Sequence, residues 1–82
     1  VVSLTLDRDV ALVVFDFLAR AADEEGGEPL AEALLHRAEL PALLDLLAAL
    51  EEMLEEPFAR DYDRKVAAAR TRIADRHGTG IG

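Results

Sequence analysis

The side chains that most enzymes use as nucleophiles and bases are scarce in this chain. Its 82 residues include no cysteine, no tryptophan, one serine (Ser3) and two histidines (His36 and His77). A catalytic nucleophile needs a base within hydrogen-bonding reach and a third group that orients that base. These residues cannot be combined into such a set at any convincing spacing. The sequence therefore predicts a protein that is not an enzyme.

Metal-ligand chemistry is confined to Glu32, His36 and Glu39. If this segment is helical, their spacings of four and three place them on one face. The di-iron helical bundles use a different order, Glu-x-x-His, and repeat it on a second pair of helices, which this chain does not do. We interpret His36 as an exposed histidine among charges and His77 as a favourable partner for a helix C-terminus. The sequence predicts neither a metal site nor a cofactor.

Two acidic clusters point to a binding function instead. The first is Glu51, Glu52, Glu55 and Glu56, and the second is Asp23, Glu24 and Glu25. Both are expected at helix C-termini, where each carboxylate opposes the helix dipole at a cost of about 0.3–1 kcal/mol. Spacings of four residues within the first cluster add like-charge repulsion. We predict that these seven residues contact a basic partner; the alternative is a solvated face, neutralised in part by Arg60, Arg64 or Lys65.

The formal net charge of −8 is unevenly distributed along the chain. Residues 1–59 contain 14 acids and three bases, whereas residues 60–82 contain three acids and six bases. An acidic surface repels nucleic acid and anionic membranes and attracts basic proteins. We therefore expect a protein partner, no nucleic acid and no membrane. The lack of cysteine fits a reducing cytoplasm, which is the expected location.

The composition predicts helices. Alanine and leucine, both strong helix formers, supply 15 and 14 residues, and the longest apolar run, Val10 to Phe15, is far too short to cross a bilayer. We expect an all-α fold, a single domain over residues 1–82 in which three or four helices form a bundle. Residues 1–6 should form a short extended arm packed on it, since Val2, Leu4 and Leu6 alternate with polar residues. Residues 78–82 should form a flexible tail.

Caps and breakers set the predicted helix boundaries. Asp7 is a suitable N-cap for a helix over residues 8–24, which Gly26 and Gly27 would end. Residues 30–39 look helical, and Pro41 should force a break within three residues of itself. The next helix includes residues 40–54 and is ended by Pro57, and the last one has Asp61 or Asp63 as its N-cap and ends at Gly78.

The helix over residues 40–54 carries a leucine seam with spacings of 3, 4, 3 and 4. Its members are Leu40, Leu43, Leu47, Leu50 and Leu54. The seam belongs either to the core of the domain, which we favour, or to a homodimer interface. A domain of this size struggles to cover all of its apolar residues, so an exposed apolar patch is expected as well.

The order of these features resembles that of a group of small, acidic, uncharacterised bacterial helical proteins. The matching pieces are Leu4-Thr5-Leu6, Ala11-Leu12-Val13, Phe17-Leu18, Ala38-Glu39, Leu50-Glu51, Glu56-Pro57-Phe58, Asp61-Tyr62 and Ala69-Arg70. Pro41 and the stretch from Gly26 to Leu35 depart from that order. Proteins of this size and charge are often immunity proteins or antitoxins, so the resemblance implies an acidic protein that sequesters a basic toxin. The alternative is a helical module that associates with itself and has no toxin partner.

Overall fold

The computed structural model describes residues 1–78, which form a small all-α bundle, as predicted. Helices take up 73% of these residues, which include no strand. The elements are α1 (Arg8–Leu18), a π-helical segment (Ala19–Glu24), a 3-10 helix (Glu28–Ala33), α2 (Glu39–Met53), a 3-10 turn (Glu56–Phe58) and α3 (Tyr62–His77). The predicted tail lies outside the described residues except for Gly78, which caps α3 in the left-handed conformation.

Helix α1 lies between the other two helices and supplies much of the core. Its buried side chains Leu12, Phe15 and Leu18 pack in one cluster with residues from both α2 and α3. Contacts between Asp9 and Arg72 and between Asp16 and Tyr62 show that α3 runs antiparallel to α1. Helix α1 therefore positions most of the polar groups described below.

Helix α2 also runs antiparallel to α1, and its leucine seam belongs to the core. Arg8, at the start of α1, contacts Glu56, just beyond the end of α2. Leu47, Leu50 and Leu54 are buried, and Leu47 is only 7% exposed. Since these side chains are covered by the chain's own helices, burial confirms the core interpretation of the seam.

The break at Pro41 is confirmed, but the helix expected over residues 30–39 is wrong. The 3-10 helix ends at Ala33, and α2 begins at Glu39 after an irregular segment. Pro41 is the third residue of α2, where a missing amide hydrogen removes no intrahelical bond. An α-helix that continued through residues 37–41 would bring the proline ring against the carbonyl of Arg37. Proline thus excludes a continuous helix and is tolerated at the start of a new one.

The first helix ends at the predicted place but in an unpredicted way. After Leu18 the chain widens into π-helical turns, and the amide of Glu25 donates to the carbonyl of Arg20 at 3.3 Å. Gly27 then adopts a φ of +80°, and a Cβ there would lie 2.7 Å from Cδ2 of Leu40. This glycine is needed for its left-handed backbone conformation, and a Cβ there would also displace the end of the Leu40 side chain.

The N-terminal arm is present but is not packed down as expected. Residues 1–6 belong to no helix, and Val2 is 92% exposed. Val2, Leu4 and Leu6 nevertheless face one shared groove, as alternate residues of an extended chain do. The arm therefore forms one wall of an open groove.

Candidate functional site

Two aspartates of α1, Asp9 and Asp16, face the basic helix α3. The guanidinium of Arg72 donates from Nε and Nη2 to the two carboxylate oxygens of Asp9 at 2.7 and 2.8 Å. Arg76 lies 3.5 Å from the carboxylate of Asp7, whose side chain makes no capping hydrogen bond to α1. The Arg72 hydrogen bonds lower the pKa of Asp9. Three of the six bases near the C-terminus, Arg70, Arg72 and Arg76, therefore join α3 to α1 and its N-cap.

Asp16 is the centre of this ion-paired interface. Its carboxylate accepts hydrogen bonds from the Tyr62 hydroxyl at 2.8 Å, from Arg70 at 2.7 Å and from Arg20 at 2.9 Å. The ring of Tyr62 also packs edge-on against Phe15, with centroids 6.4 Å apart. A carboxylate with three donors is well satisfied, so this cluster joins helices rather than offering a site for a ligand.

The ionisation of the Asp16 cluster agrees with that structural role. Burial acts to raise the pKa of Asp16, but the hydrogen bonds from Tyr62 and Arg20, with the charges of Arg20 and Arg70, outweigh it and lower that pKa. Burial and the hydrogen bond to Asp16 raise the pKa of Tyr62 strongly. Tyr62 therefore remains a donor and Asp16 an acceptor over the physiological pH range.

The first acidic cluster is divided by the structure. Glu51 and Glu52 are exposed in the last turn of α2, and Glu55 is exposed just after it. The side chain of Glu56 is only 12% exposed. Its carboxylate accepts two hydrogen bonds from Nη1 of Arg8 at 2.9 and 2.8 Å. The Arg8 hydrogen bond is the main cause that lowers the pKa of Glu56. Three of the four residues thus present their charge to solvent, and the fourth closes a long-range ion pair.

Two expectations about this cluster need correction. The helix ends at Met53, so Glu55 and Glu56 lie beyond it. They therefore do not lie one helical turn from Glu51 and Glu52, and the expected like-charge repulsion between these pairs does not apply. The neutralising bases are also different. Lys65 pairs with Asp61, and within residues 1–78 no ion pair joins Arg60, Arg64 or Lys65 to the cluster. The base that reaches it is Arg8, which precedes Glu56 by 48 residues.

The second acidic cluster lies at the other end of the bundle. Asp23 and Glu24 end the π-helical segment, Glu25 follows it, and all three are exposed. Because α1 and α2 are antiparallel, this cluster lies near the start of α2, whereas the first cluster lies near its end. The two clusters are therefore separate surfaces.

The residues considered as metal ligands do not share a helical face. Glu32 lies in the 3-10 helix, while His36 lies in the irregular segment that precedes α2. Nδ1 of His36 accepts the amide of Ala38 at 3.0 Å, and the carboxylate of Glu39 accepts the amides of Leu35 and His36. These contacts shape the start of α2. Among the described residues, no group of three or more acidic or histidine side chains has a geometry that could hold a metal ion.

An apolar groove of about 570 Å³ lies between the arm and α2. Its lining is apolar except for Arg8 and consists of Val2, Leu4, Leu6, Arg8, Ala11, Leu46, Ala49, Leu50, Met53 and Leu54. Met53 is 72% exposed and Leu46 is 38% exposed. The expected exposed patch is therefore present, but sequence reasoning did not locate it. The alternation of Val2, Leu4 and Leu6 was the available signal.

Comparison of the chain with protein-family models, curated proteins and solved structures found no match. The resemblance to small acidic bacterial proteins thus stays a prediction. Within residues 1–78, each helix is too short or too polar to cross a lipid bilayer. The groove and the exposed carboxylates of the first acidic cluster remain the strongest candidates for a functional site.

Proposed function

We propose that this chain is a non-enzymatic protein-binding domain that holds a basic partner protein against its acidic surface. The proposed biological role is that of an immunity protein or antitoxin, which sequesters a basic toxin by covering its active surface. The proposed location is the bacterial cytoplasm. The candidate contact residues are those of the two acidic clusters, with Glu56 acting through its pair with Arg8.

The observation that carries this proposal is the division of charge between the ion pairs and the unpaired residues of the surface. Five of the 17 acidic residues are in ion pairs within residues 1–78, which leaves twelve that are not. Six of the nine lysines and arginines take part in the same pairs, which leaves three. Four of the six pairs join different parts of the fold, and the unpaired charge offered to another molecule is strongly acidic. Such a surface accelerates association with a basic protein.

Helix geometry adds a second argument for Glu51 and Glu52. Both lie in the last turn of α2, where the unpaired backbone carbonyls already carry partial negative charge. A sequence selected for stability alone would favour lysine or arginine at these positions. Two glutamates there are explained if a partner supplies the positive charge.

A self-associating helical module is the second candidate function, and the groove is the observation in its favour. Exposed Leu46 and Met53 could be covered by a second copy. Two features oppose it: the leucine seam is already buried, and each copy carries a net charge of −8. We therefore place this function behind binding of a basic protein.

The test is capture of the partner followed by coexpression. The immobilised protein should retain a basic protein from native bacterial lysate, and moderate salt should release it, since exposed charges are screened over about 8–10 Å at physiological salt. Expression of the captured protein alone should arrest growth, and coexpression of this chain should restore growth.

Two charge-matched variants make the capture test specific. The first carries Glu51→Gln, Glu52→Gln and Glu55→Gln, and the control carries Glu28→Gln, Glu32→Gln and Asp63→Asn. We expect the first variant to lose capture and the control to retain it. Equal capture by both variants, or capture of acidic proteins only, would contradict the proposed function. A captured basic protein that does not affect growth would reject the toxin but not the basic partner.

A further inference from the structure

We propose that the groove between the N-terminal arm and α2 receives an amphipathic helix of the basic partner. The apolar face of that helix enters the groove, and its lysine or arginine side chains meet the acidic residues along the edge. This inference rests on the proposed function and adds a place of binding and a chemical description of the bound segment.

The shape of the groove suits a helix. Along α2 it is lined by Leu46 and by Ala49, Leu50 and Met53, which lie three, four and seven residues after it. The eight residues from Leu46 to Met53 span about 10 Å of helix, or two turns. A second helix that packs alongside would present its own residues at the same spacing, and the small side chain of Ala49 permits close approach.

The floor and the opposite wall of the groove are already apolar. Ala11, Leu50 and Leu54 are buried beneath it, and Val2 and Leu4 form the exposed wall supplied by the arm. Covering this surface would remove apolar area from water, and the one charged side chain in its lining, Arg8, is already paired with Glu56. Apolar side chains of the partner are therefore the appropriate occupants.

The edge of the groove is negatively charged. Asp45 and Glu52 lie four residues before and three residues after Ala49, which makes them its neighbours on the helix surface. Both are exposed, and neither is in an ion pair within the part of the chain that the structure describes. Glu55 lies at the end of the groove, near enough to Arg8 to contribute to the raised pKa of that guanidinium. These carboxylates are complementary to lysine or arginine beside the apolar face of a bound helix.

Charge disfavours two other occupants of the groove, a second copy of this chain and an apolar molecule with an anionic head. A second copy would bring another net charge of −8 and would set Asp45 and Glu52 of one chain near those of the other. An apolar molecule with an anionic head would need a cation, and the charge of Arg8, the base that lines the groove, is already neutralised by its ion pair with Glu56. A basic amphipathic helix satisfies the apolar surface and the acidic edge together.

The test uses a fluorescently labelled amphipathic peptide of leucine and lysine, with about 18 residues so that it can form a helix. Fluorescence anisotropy gives its Kd for the wild type and for Leu46→Asp and Met53→Asp. The control is Leu35→Asp, because Leu35 is 91% exposed and does not line this groove. Each variant adds the same negative charge, which by itself attracts the lysine peptide. We expect the two groove variants to raise Kd by roughly tenfold or more and the control by less than about twofold.

The acidic edge is tested with the same peptide. The double variant Asp45→Asn with Glu52→Gln should bind the peptide more weakly and with a smaller dependence on salt. The charge-matched double variant Asp63→Asn with Asp75→Asn should show much smaller changes in both. A leucine and glutamate peptide should not bind. Thermal melts of every variant establish that it is folded, and Met53→Asp, at the more exposed position, tests the groove even if Leu46→Asp unfolds.

Three results would overturn the inference. They are equal weakening by Leu35→Asp and the groove variants, equal binding of the glutamate peptide, or a wild-type dimer in sedimentation that Met53→Asp converts to monomer. Binding measurements with the captured partner distinguish a failure of this inference from a failure of the proposed function. If Met53→Asp binds that partner normally while neutralisation of Glu51, Glu52 and Glu55 abolishes binding, the groove is not the site and the acidic function stands. If no basic partner is captured at all, the proposed function itself fails.

Discussion

The two faces of α1 meet their neighbours through different chemistry. Towards α3, Asp9 and Asp16 are paired with arginines, and Asp16 also accepts the hydroxyl of Tyr62. Towards α2 and the arm, the contact is mainly apolar, apart from the pair between Arg8 and Glu56, and it leaves an open groove. Opposite charges within one chain are thus used where helices must be held together, whereas like charges collect where the chain meets solvent. In the proposed function, the groove beside α2 and the arm serves binding, whereas the ion-paired contact with α3 serves folding.

The largest expected effect distinguishes the buried side of α2 from its exposed side. Leu47→Glu should unfold the domain, because an unpaired charge in the core costs several kcal/mol, which is comparable to the whole stability of a small domain. Leu46→Glu, one residue earlier but on the groove side, should leave the domain folded. Thermal melts with sedimentation measure both. A folded Leu47→Glu variant would show that the seam is not essential to the core.

The next effect tests the ion-paired face. Asp16→Asn should destabilise the domain by about 1–2 kcal/mol, because charge-assisted hydrogen bonds to a mostly buried carboxylate are lost while the arginine partners remain partly solvated. Asp63→Asn, on the exposed surface of α3, should change stability by less than about 0.5 kcal/mol. Chemical denaturation of both variants provides the comparison. Equal stability of the two would remove the proposed role of Asp16.

The stability contributed by Asp16 should also depend on pH in a definite direction. The pKa of its carboxylate is lower in the folded state than in the unfolded chain, so the contribution is complete above the unfolded value of about 3.9. The contribution of Asp16 to stability is lost as the pH falls through the lowered pKa of its carboxylate in the folded protein. The difference in melting temperature between wild type and Asp16→Asn should therefore be constant near neutral pH and should shrink in acid. A difference that grows in acid would contradict the assignment.

A smaller effect separates two adjacent glutamates. Glu56→Gln should lower the melting temperature by about 2 °C or more, because the ion pair with Arg8 links the start of α1 to the end of α2. Glu55→Gln should leave it unchanged or raise it slightly, since Glu55 is in no ion pair within residues 1–78. Calorimetry at low salt compares them directly. The reverse order would mean that the pair between Arg8 and Glu56 does not stabilise the domain.

The sequence predicted the features that depend on neighbouring residues. Asp7 and Asp61, one of the two candidates for the last helix, lie at N-cap positions, although neither side chain makes a capping hydrogen bond. Pro41 lies at the start of a new helix, and Gly27 has the left-handed backbone expected after a helix. Leu47 is buried, as its place in a spacing of three and four predicted. These signals are reliable because each acts on the backbone within one or two helical turns.

The features that were missed depend on distant residues or on small backbone differences. The charge of Arg8 does not reveal that its partner is Glu56, and the arginines of α3 could have paired with any exposed acid. The Ala-rich segment after Leu18 favours an α-helix, and none of its residues signals the wider π-helical turns that it adopts. The exposed acids were found from the sequence, whereas the groove beside them required the position of the arm. The apolar part of the candidate site was therefore hidden until the helices were placed.

The central claim is tested most directly by the association rate of the captured basic partner across a range of salt concentrations. We compare wild type with the triple variant Glu51→Gln, Glu52→Gln and Glu55→Gln, and with the charge-matched control Glu28→Gln, Glu32→Gln and Asp63→Asn. Steering by the acidic cluster predicts that the triple variant associates more slowly and with a flatter salt dependence, while the control stays close to wild type. Loss of apolar contact without a change of charge, as in Met53→Ala, should act mainly on dissociation. If the triple variant associates at the wild-type rate with the wild-type salt dependence, the acidic cluster is a solvated surface and the proposed function is contradicted.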